Sequence, residues 1–277
     1  MPSSSALRET PNLQTVDSIW SRMRVEAATD AASEPILASF LSATILNHRD
    51  FQSALSYRLA QKLSDGEMNA MLWREVAEDA YKDQPAIVTA ALADLQAYTD
   101  RDPATRSTSQ PFLHFKGYQA IQSQRIACWL WSQGREALAL YLQSRMSELF
   151  QVDIHPAAKI GRGLFFDHAT GIVIGETARI GDNCSLLHSV TLGGTGKEKH
   201  ERHPKLGNGV LVGAGAKILG NIEVGDGAKI ASGSVVLEPV KPFCTVAGVP
   251  AVPVGRCAKA AGEQMDQGLD SPDETHR

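Results

Sequence analysis

Imidazole is the side chain best suited to carrying a proton at neutral pH, because its unperturbed pKa lies near ~6.5. This chain of 277 residues holds eight histidines. Five of them, His168, His188 and His203 among them, fall within residues 151–257, a stretch otherwise rich in glycine and small aliphatic residues. One imidazole there could take a proton from a hydroxyl, and three together could hold a zinc ion. Carboxylates stand close in sequence: Asp167 is adjacent to His168, and Asp153 lies fifteen residues before it. That spacing alone does not show that Asp153 and His168 touch. Asp102 precedes Pro103, which pushes it out of helical geometry onto a loop with its carboxylate free. A polar run from Gly193 to Pro204, containing Gly194, Thr195, Arg202 and His203, adds a cation beside a histidine. The four cysteines share no Cys-x-x-Cys spacing, so neither a thiolate zinc knuckle nor a disulfide framework is expected. Cys184 reads as a small inward residue rather than a nucleophile.

The elements that must hold these groups come in two kinds. All but three of the 23 glycines lie beyond residue 150, while the four tryptophans lie before it. In the first half, apolar residues recur at three- and four-residue intervals over 16–28, 35–47, 51–63, 67–81, 84–98 and 117–150, which is helical spacing. Beyond residue 150 the period becomes six. Aliphatic residues occupy positions 154 and 160, then 174, 180, 186 and 192, then 206, 212, 218, 224, 230 and 236, and small or medium residues such as Ala158, Ala178, Cys184 and Ala216 stand four positions after them. A hexad is too short to bury its own apolar face. Three must therefore form a triangular coil, with coils stacked at about 4.8 Å. Two breaks of fourteen residues, Ile160 to Ile174 and Leu192 to Leu206, each exceed two hexads by two and mark insertions. The second contains the polar run and is expected to protrude as a loop.

The fold class is α+β: an α-helical domain over 1–150, a parallel β-helix over 151–257 and a flexible polar tail over 258–277. With 43% hydrophobic and 21% charged residues, the chain has the composition of a folded domain. A net charge of -4 gives no general attraction to nucleic acid or anionic lipid. No apolar run approaches the roughly 20 residues of a membrane span, and Met-Pro-Ser-Ser-Ser at the start is unlike a secretory signal. The cytoplasm is the expected location.

Gln151-Val152-Asp153-Ile154-His155-Pro156, Phe166-Asp167-His168-Ala169-Thr170-Gly171, Ser189-Val190-Thr191-Leu192-Gly193-Gly194-Thr195, Arg202-His203-Pro204-Lys205 and Ala247-Gly248-Val249-Pro250-Ala251 resemble, in order, the motifs of a known group. That group is the hexapeptide-repeat acyltransferases, and within them the serine O-acetyltransferases. The helical half resembles the family's first domain at Ala54-Leu55-Ser56-Tyr57 and Thr99-Asp100-Arg101-Asp102-Pro103-Ala104. Hexads alone would indicate only acyl transfer; the Asp-His-Ala-Thr-Gly and Arg-His-Pro-Lys motifs narrow it to serine. The resemblance also supplies the left hand of the β-helix, which the hexads do not fix.

By that resemblance the chain moves the acetyl group of acetyl-CoA to the L-serine hydroxyl, giving O-acetyl-L-serine and CoA, the first step of L-cysteine biosynthesis. No metal is implied. His168 is then the general base, with Asp153 fixing its tautomer. Asp102 and Asp167 hold the ammonium group and Arg202 the carboxylate, while His203 holds substrate or the developing oxyanion. Gly194, Thr195, Ala214 and Ser232 receive the pantetheine arm, with Lys217 or Lys229 near the phosphates; the family more often has alanine where Ser232 stands. L-cysteine is the implied inhibitor, in the serine pocket. A homohexamer, a dimer of trimers with sites between prisms, is the implied assembly. Relatives that dock into cysteine synthase finish with isoleucine, whereas this chain ends His276-Arg277, which argues against docking. The alternatives are a sugar acyltransferase, a γ-type carbonic anhydrase using His168, His188 and His203 on zinc, and a noncatalytic scaffold.

Overall fold

The structure, a computed structural model, describes residues 13–197 and 199–269. Helices α1 (Leu13–Ser33), α2 (Ala38–Leu41), α3 (Phe51–Leu63), α4 (Ala70–Asp83), α5 (Ala86–Arg101), α6 (Ser109–His114), α7 (Lys116–Ser132) and α8 (Glu136–Phe150) form the first half. The 35–47 segment is three short helical pieces rather than one helix, since Pro35 opens a 3-10 turn and a π turn spans Ser42–Leu46. Within that π turn the Ala43 carbonyl is taken by His48 Nε2 at 2.9 Å. The 117–150 run divides at Gly134, whose φ of 72° lies in the left-handed region where glycine carries no Cβ penalty. Caps fall where short polar side chains can accept a free amide: Asp50 takes Ser53 N–H at 2.8 Å, and Asn69 takes Leu72 N–H at 3.1 Å. Among the described residues no helix is long and apolar enough to cross a membrane.

The hexads build a three-sided parallel prism. One face holds β1 (Val152–Ile154), β4 (Ile172–Ile174), β7 (Thr191–Gly193), β10 (Lys217–Leu219) and β13 (Val235–Val236). The next holds β2 (Lys159–Ile160), β5 (Arg179–Ile180), β8 (Lys205–Leu206) and β11 (Glu223–Val224). The third holds β3 (Phe165–Phe166), β6 (Ser185–Leu186), β9 (Leu211–Val212) and β12 (Lys229–Ile230), and is closed by the antiparallel pair β14 (Cys244–Gly248) and β15 (Ala251–Arg256). The small residues at the fourth hexad position, Ala158, Ala178, Cys184, Val190, Ala216, Ala228 and Ser234, are all buried, as their size demands at a tapering corner.

Strand register resolves the two breaks. Val173 pairs with Thr191 and Lys217 with Val235, so a plain coil takes eighteen residues. Val152 pairs with Ile172, which leaves two extra residues in the first coil, as expected. They lie at the corner Asp167-His168-Ala169-Thr170, where His168 and Ala169 adopt φ of 53° and 60°. The second break differs from expectation. Strands β7 and β8 sit on adjacent faces, so the fourteen residues are one hexad plus an eight-residue insertion, and the Thr191–Lys217 pairing carries the whole surplus.

The first coil has no coil beneath it, and the helices supply its missing hydrogen bonds. Tyr98 Oη accepts from Phe166 N–H at 3.2 Å and donates to Phe166 O at 3.0 Å. Asp94 accepts from Leu164 N–H at 2.8 Å, Gln124 Nε2 donates to Ala158 O at 3.0 Å, and Arg125 donates to Gly161 O at 2.8 Å.

The tail departs from the expected flexibility over residues 258–269. Helix α9 (Ala261–Gln264) lies against β6 and β9. Gly262 N–H donates to Gly209 O at 2.7 Å, and Ser185 Oγ donates to Gly262 O at 2.6 Å. A Cβ at Gly262 would lie 2.7 Å from Val210 O, so glycine permits this approach. Buried Lys229 finds its counter-charge here, with Nζ 3.1 Å from Asp266 Oδ2. The end of the tail, 270–277, and the opening residues 1–12 fall outside the described residues.

Replacing Tyr98 with Phe strands one buried N–H and one buried C=O. The expected cost is about 2–4 kcal/mol, read as a lower urea midpoint at fixed protein concentration. An unchanged midpoint would show that the end of the prism does not depend on this hydroxyl.

Candidate active site

Face-three register aligns Phe166, Leu186, Val212 and Ile230. The residues two positions on, His168, His188, Ala214 and Ser232, therefore stack in one column along the corner that leads to face one. Backbone bonds tie the column together: Gly215 N–H donates to His188 O at 2.9 Å and Gly233 N–H to Ala214 O at 2.8 Å. At its head His168 is 76% exposed, with Nε2 3.8 Å from Asp167 Oδ1 and its ring 6.1 Å from that of His188. Asp102 follows α5 in extended conformation, and its two oxygens accept from Ala104 N–H at 2.8 Å and Thr105 Oγ1 at 3.0 Å. Partial burial holds the Asp167 carboxyl above its usual range; the Asp102 charge pushes the same way, against His168 and His188. This edge thus gathers Asp102, Asp167, His168 and His188.

Arg202 and His203 lie at the other edge of face one, past the end of β4. The inserted loop is stapled there by charge. Arg202 pairs with Glu176, and its guanidinium also donates to His200 O at 3.1 Å. Lys205 Nζ is 2.5 Å from Glu201 Oε2. The Arg202 hydrogen bond holds the Glu176 carboxyl below its usual range. His203 is buried, and its Nδ1 contacts Thr177 Oγ1 at 2.9 Å and accepts Thr177 N–H at 3.2 Å. Burial, then the charges of Arg202 and Lys205, push this imidazole toward its neutral form. Gly194 lies beside it: a Cβ there would be 3.6 Å from His203 Nε2. Thr195 is exposed on the same edge.

The expected site residues therefore divide into two groups within one chain. Asp102, Asp167, His168, Ala214 and Ser232 share one edge, and Gly194, Thr195, Arg202 and His203 the other. Asp153 stands apart from His168. Its Oδ1 accepts Gln143 Nε2 at 2.7 Å, and among the described residues no hydrogen bond joins it to the His168 ring. The two lie at the start and end of the same coil rather than on neighbouring coils, because the strand that stacks on Asp153 begins only at Ile172, beyond His168. His168, His188 and His203 do not converge within the chain, and among the described residues no group of three or more His, Cys, Asp or Glu is arranged to hold a metal. Cys184 is packed in the corner, its thiol pushed up to about 12 by burial. Sequence reasoning missed Glu176, Thr177 and Gln143. The first two occupy outward hexad slots that carry no pattern, and Gln143 sits on the exposed side of a helix.

A prism of hexads with an imidazole at one corner and a charged inserted loop at the next defines a hexapeptide-repeat acyltransferase. Family models bear this out: "Serine acetyltransferase, N-terminal" matches residues 19–123 and "Bacterial transferase hexapeptide (six repeats)" matches 203–238. The chain is 57% identical to the serine acetyltransferase of Escherichia coli (strain K12) over 243 residues, covering 88% of this chain and 89% of that one. It also superposes on a serine acetyltransferase solved with cysteine (TM-score 0.89, 54% identity, 91% and 98% of the two chains). The enzyme from Brucella abortus strain S19, solved with coenzyme A, gives a TM-score of 0.88 at 50% identity over 90% and 99%. The chain belongs to the serine acetyltransferase family, and it is an acyltransferase.

Asp167 provides a pH test. A carboxyl whose folded pKa is raised binds more protons folded than unfolded, so it costs stability above that pKa and the cost disappears as pH falls to the ordinary carboxylate range. Asp167→Asn is expected to melt at or above the wild-type temperature near ~pH 7, with the difference closing in favour of wild type toward ~pH 4. Parallel melting curves at the two pH values would show that Asp167 is not desolvated.

Proposed function

We propose that the chain O-acetylates L-serine at sites completed between neighbouring prisms. The observation that carries this is the division of the ligand-contacting groups between two edges of one face. A cyclic assembly seats one subunit's His168 edge against the next subunit's Arg202 edge, and each seam then holds a complete set. On this reading Asp102 and Asp167 take the serine ammonium and Arg202, from the neighbour, the carboxylate. A trimer satisfies this geometry, and the helical halves pair trimers into a hexamer.

The column of His168, His188, Ala214 and Ser232 gives acetyl-CoA a straight path along the prism. Small residues and free backbone receive the pantetheine arm, and the thioester lies at the head beside His168. Serine Oγ attacks the thioester carbonyl carbon as its proton passes to His168, since a neutral alcohol is a weak nucleophile without a base. Negative charge then develops on the carbonyl oxygen, where His203 donates from Nε2. Collapse breaks the C–S bond, and the proton on His168 leaves with the CoA thiolate. Asp153 reaches His168 only if Gln143 releases it or a neighbour reshapes the corner, so its orienting role belongs to the assembled, substrate-bound state. L-cysteine has the same ammonium and carboxylate as serine and fits the same pocket as an inhibitor. The cytoplasm is the location that goes with this chemistry.

Thiol release from acetyl-CoA is expected to require serine. His168→Ala should lower turnover by roughly 10²–10⁴-fold, the usual worth of a positioned base. Shared sites make a further demand. Co-expression of His168→Ala with Arg202→Ala chains should restore activity well above either alone, because mixed assemblies contain some seams with both residues intact. No recovery in co-purified mixed assemblies would place each site within one chain.

A further inference from the structure

We propose that Thr177 is the positioning residue that fixes His203 as a neutral hydrogen-bond donor and sets the register of the substrate-facing loop. The proposal rests on the reading of His203 given above and names the residue that prepares it.

Three contacts converge on one hydroxyl. Thr177 Oγ1 accepts the backbone N–H of Arg202 at 3.0 Å and that of His203 at 3.1 Å. With both acceptor positions used, its own proton is directed at His203 Nδ1, 2.9 Å away. The Thr177 amide donates to the same nitrogen at 3.2 Å. Nδ1 thus meets two donors and must be the unprotonated nitrogen, so the ring proton resides on Nε2. That end of the ring faces Gly175, where a Cβ would lie 2.1 Å from Nε2, and Gly194, where a Cβ would be in ordinary contact at 3.6 Å. Gly194 is where the pantetheine arm is expected. The free N–H is therefore carried to the place where a thioester oxygen would gain charge.

The loop itself has few other anchors at this point. Arg202 is tied through its side chain to Glu176, and Lys205 Nζ donates to Thr177 O at 2.6 Å and His203 O at 2.8 Å. Among the described residues Thr177 alone bonds the backbone of both Arg202 and His203, the two residues whose side chains must be placed together. A displacement of about 1 Å at such a group can cost on the order of 10²-fold in rate.

The test compares Thr177→Val, which keeps shape and removes the hydroxyl, with Thr177→Ser, which keeps the hydroxyl and removes the methyl. Each is assayed as the full-length assembly by serine-dependent thiol release from acetyl-CoA, beside His203→Ala. Thr177→Val is expected to lose roughly 10–100-fold in kcat with the KM for acetyl-CoA within about twofold. Thr177→Ser should stay within about threefold of wild type in every constant, because the hydroxyl carries the effect. Wild-type kinetics in Thr177→Val while His203→Ala is impaired overturns the proposal alone. Equal damage in the serine and valine variants also overturns it, by showing that the methyl's packing is what counts. Wild-type kinetics in His203→Ala removes His203 from the reaction and the proposal with it.

Discussion

A stack of β-coils ends in a ring of backbone N–H and C=O groups with nothing to bond, and the molecule depends on how that ring is covered. Leaving such groups buried and unpaired would cost several kcal/mol. Helices α5 and α7 cover them with side chains, namely Asp94, Tyr98, Gln124 and Arg125. The buried Asp94–Arg125 pair at 2.6 Å is tolerable because the carboxylate also accepts from Leu164 N–H and Gln122 Nε2. Removing one partner of such a buried pair typically costs about 3–5 kcal/mol, because the other charge is left uncompensated. Gly117 has the same purpose, since a Cβ there would strike Phe166 O. The helical half is thus the lid of the prism, and the two halves share one continuous core.

The same cover sets the chemistry. Tyr98 grips Phe166 by both its N–H and its C=O, and the next two residues are Asp167 and His168. Asp102 comes four residues after Tyr98, at the end of the same helix. One helix therefore fixes the corner that presents the imidazole and delivers a carboxylate to it. Partial burial, and after it the nearby Asp102 charge, hold the Asp167 carboxyl above its usual range.

At the far edge the design is electrostatic. The inserted loop is polar and could not pack as a coil, so it is pinned by Glu176 to Arg202, by Glu201 to Lys205 and by the Thr177 hydroxyl to two backbone amides. Cation and neutral imidazole sit side by side without repulsion because burial and Arg202 itself disfavour protonation of His203. The tail contributes on the third face, where Asp266 neutralises Lys229. In each case a charge that the coils cannot satisfy is met by a segment outside them.

The sequence by itself determined the prism, its inward residues, the positions of the two insertions and the family, because a six-residue period and a local motif are written in neighbouring residues. Helix ends such as Leu63 were legible for the same reason. Tertiary structure decided what lies next to what. It split the 117–150 run at Gly134, drew the tail at Gly262 onto the coils, and turned the second break into one long loop between adjacent faces. It also gave Asp153 to Gln143 and His203 to Thr177. Those pairings join residues ten and twenty-six positions apart through the stacking of coils and the packing of helices. No local periodicity encodes them, since an outward hexad slot accepts almost any side chain until a neighbouring loop or helix is folded against it.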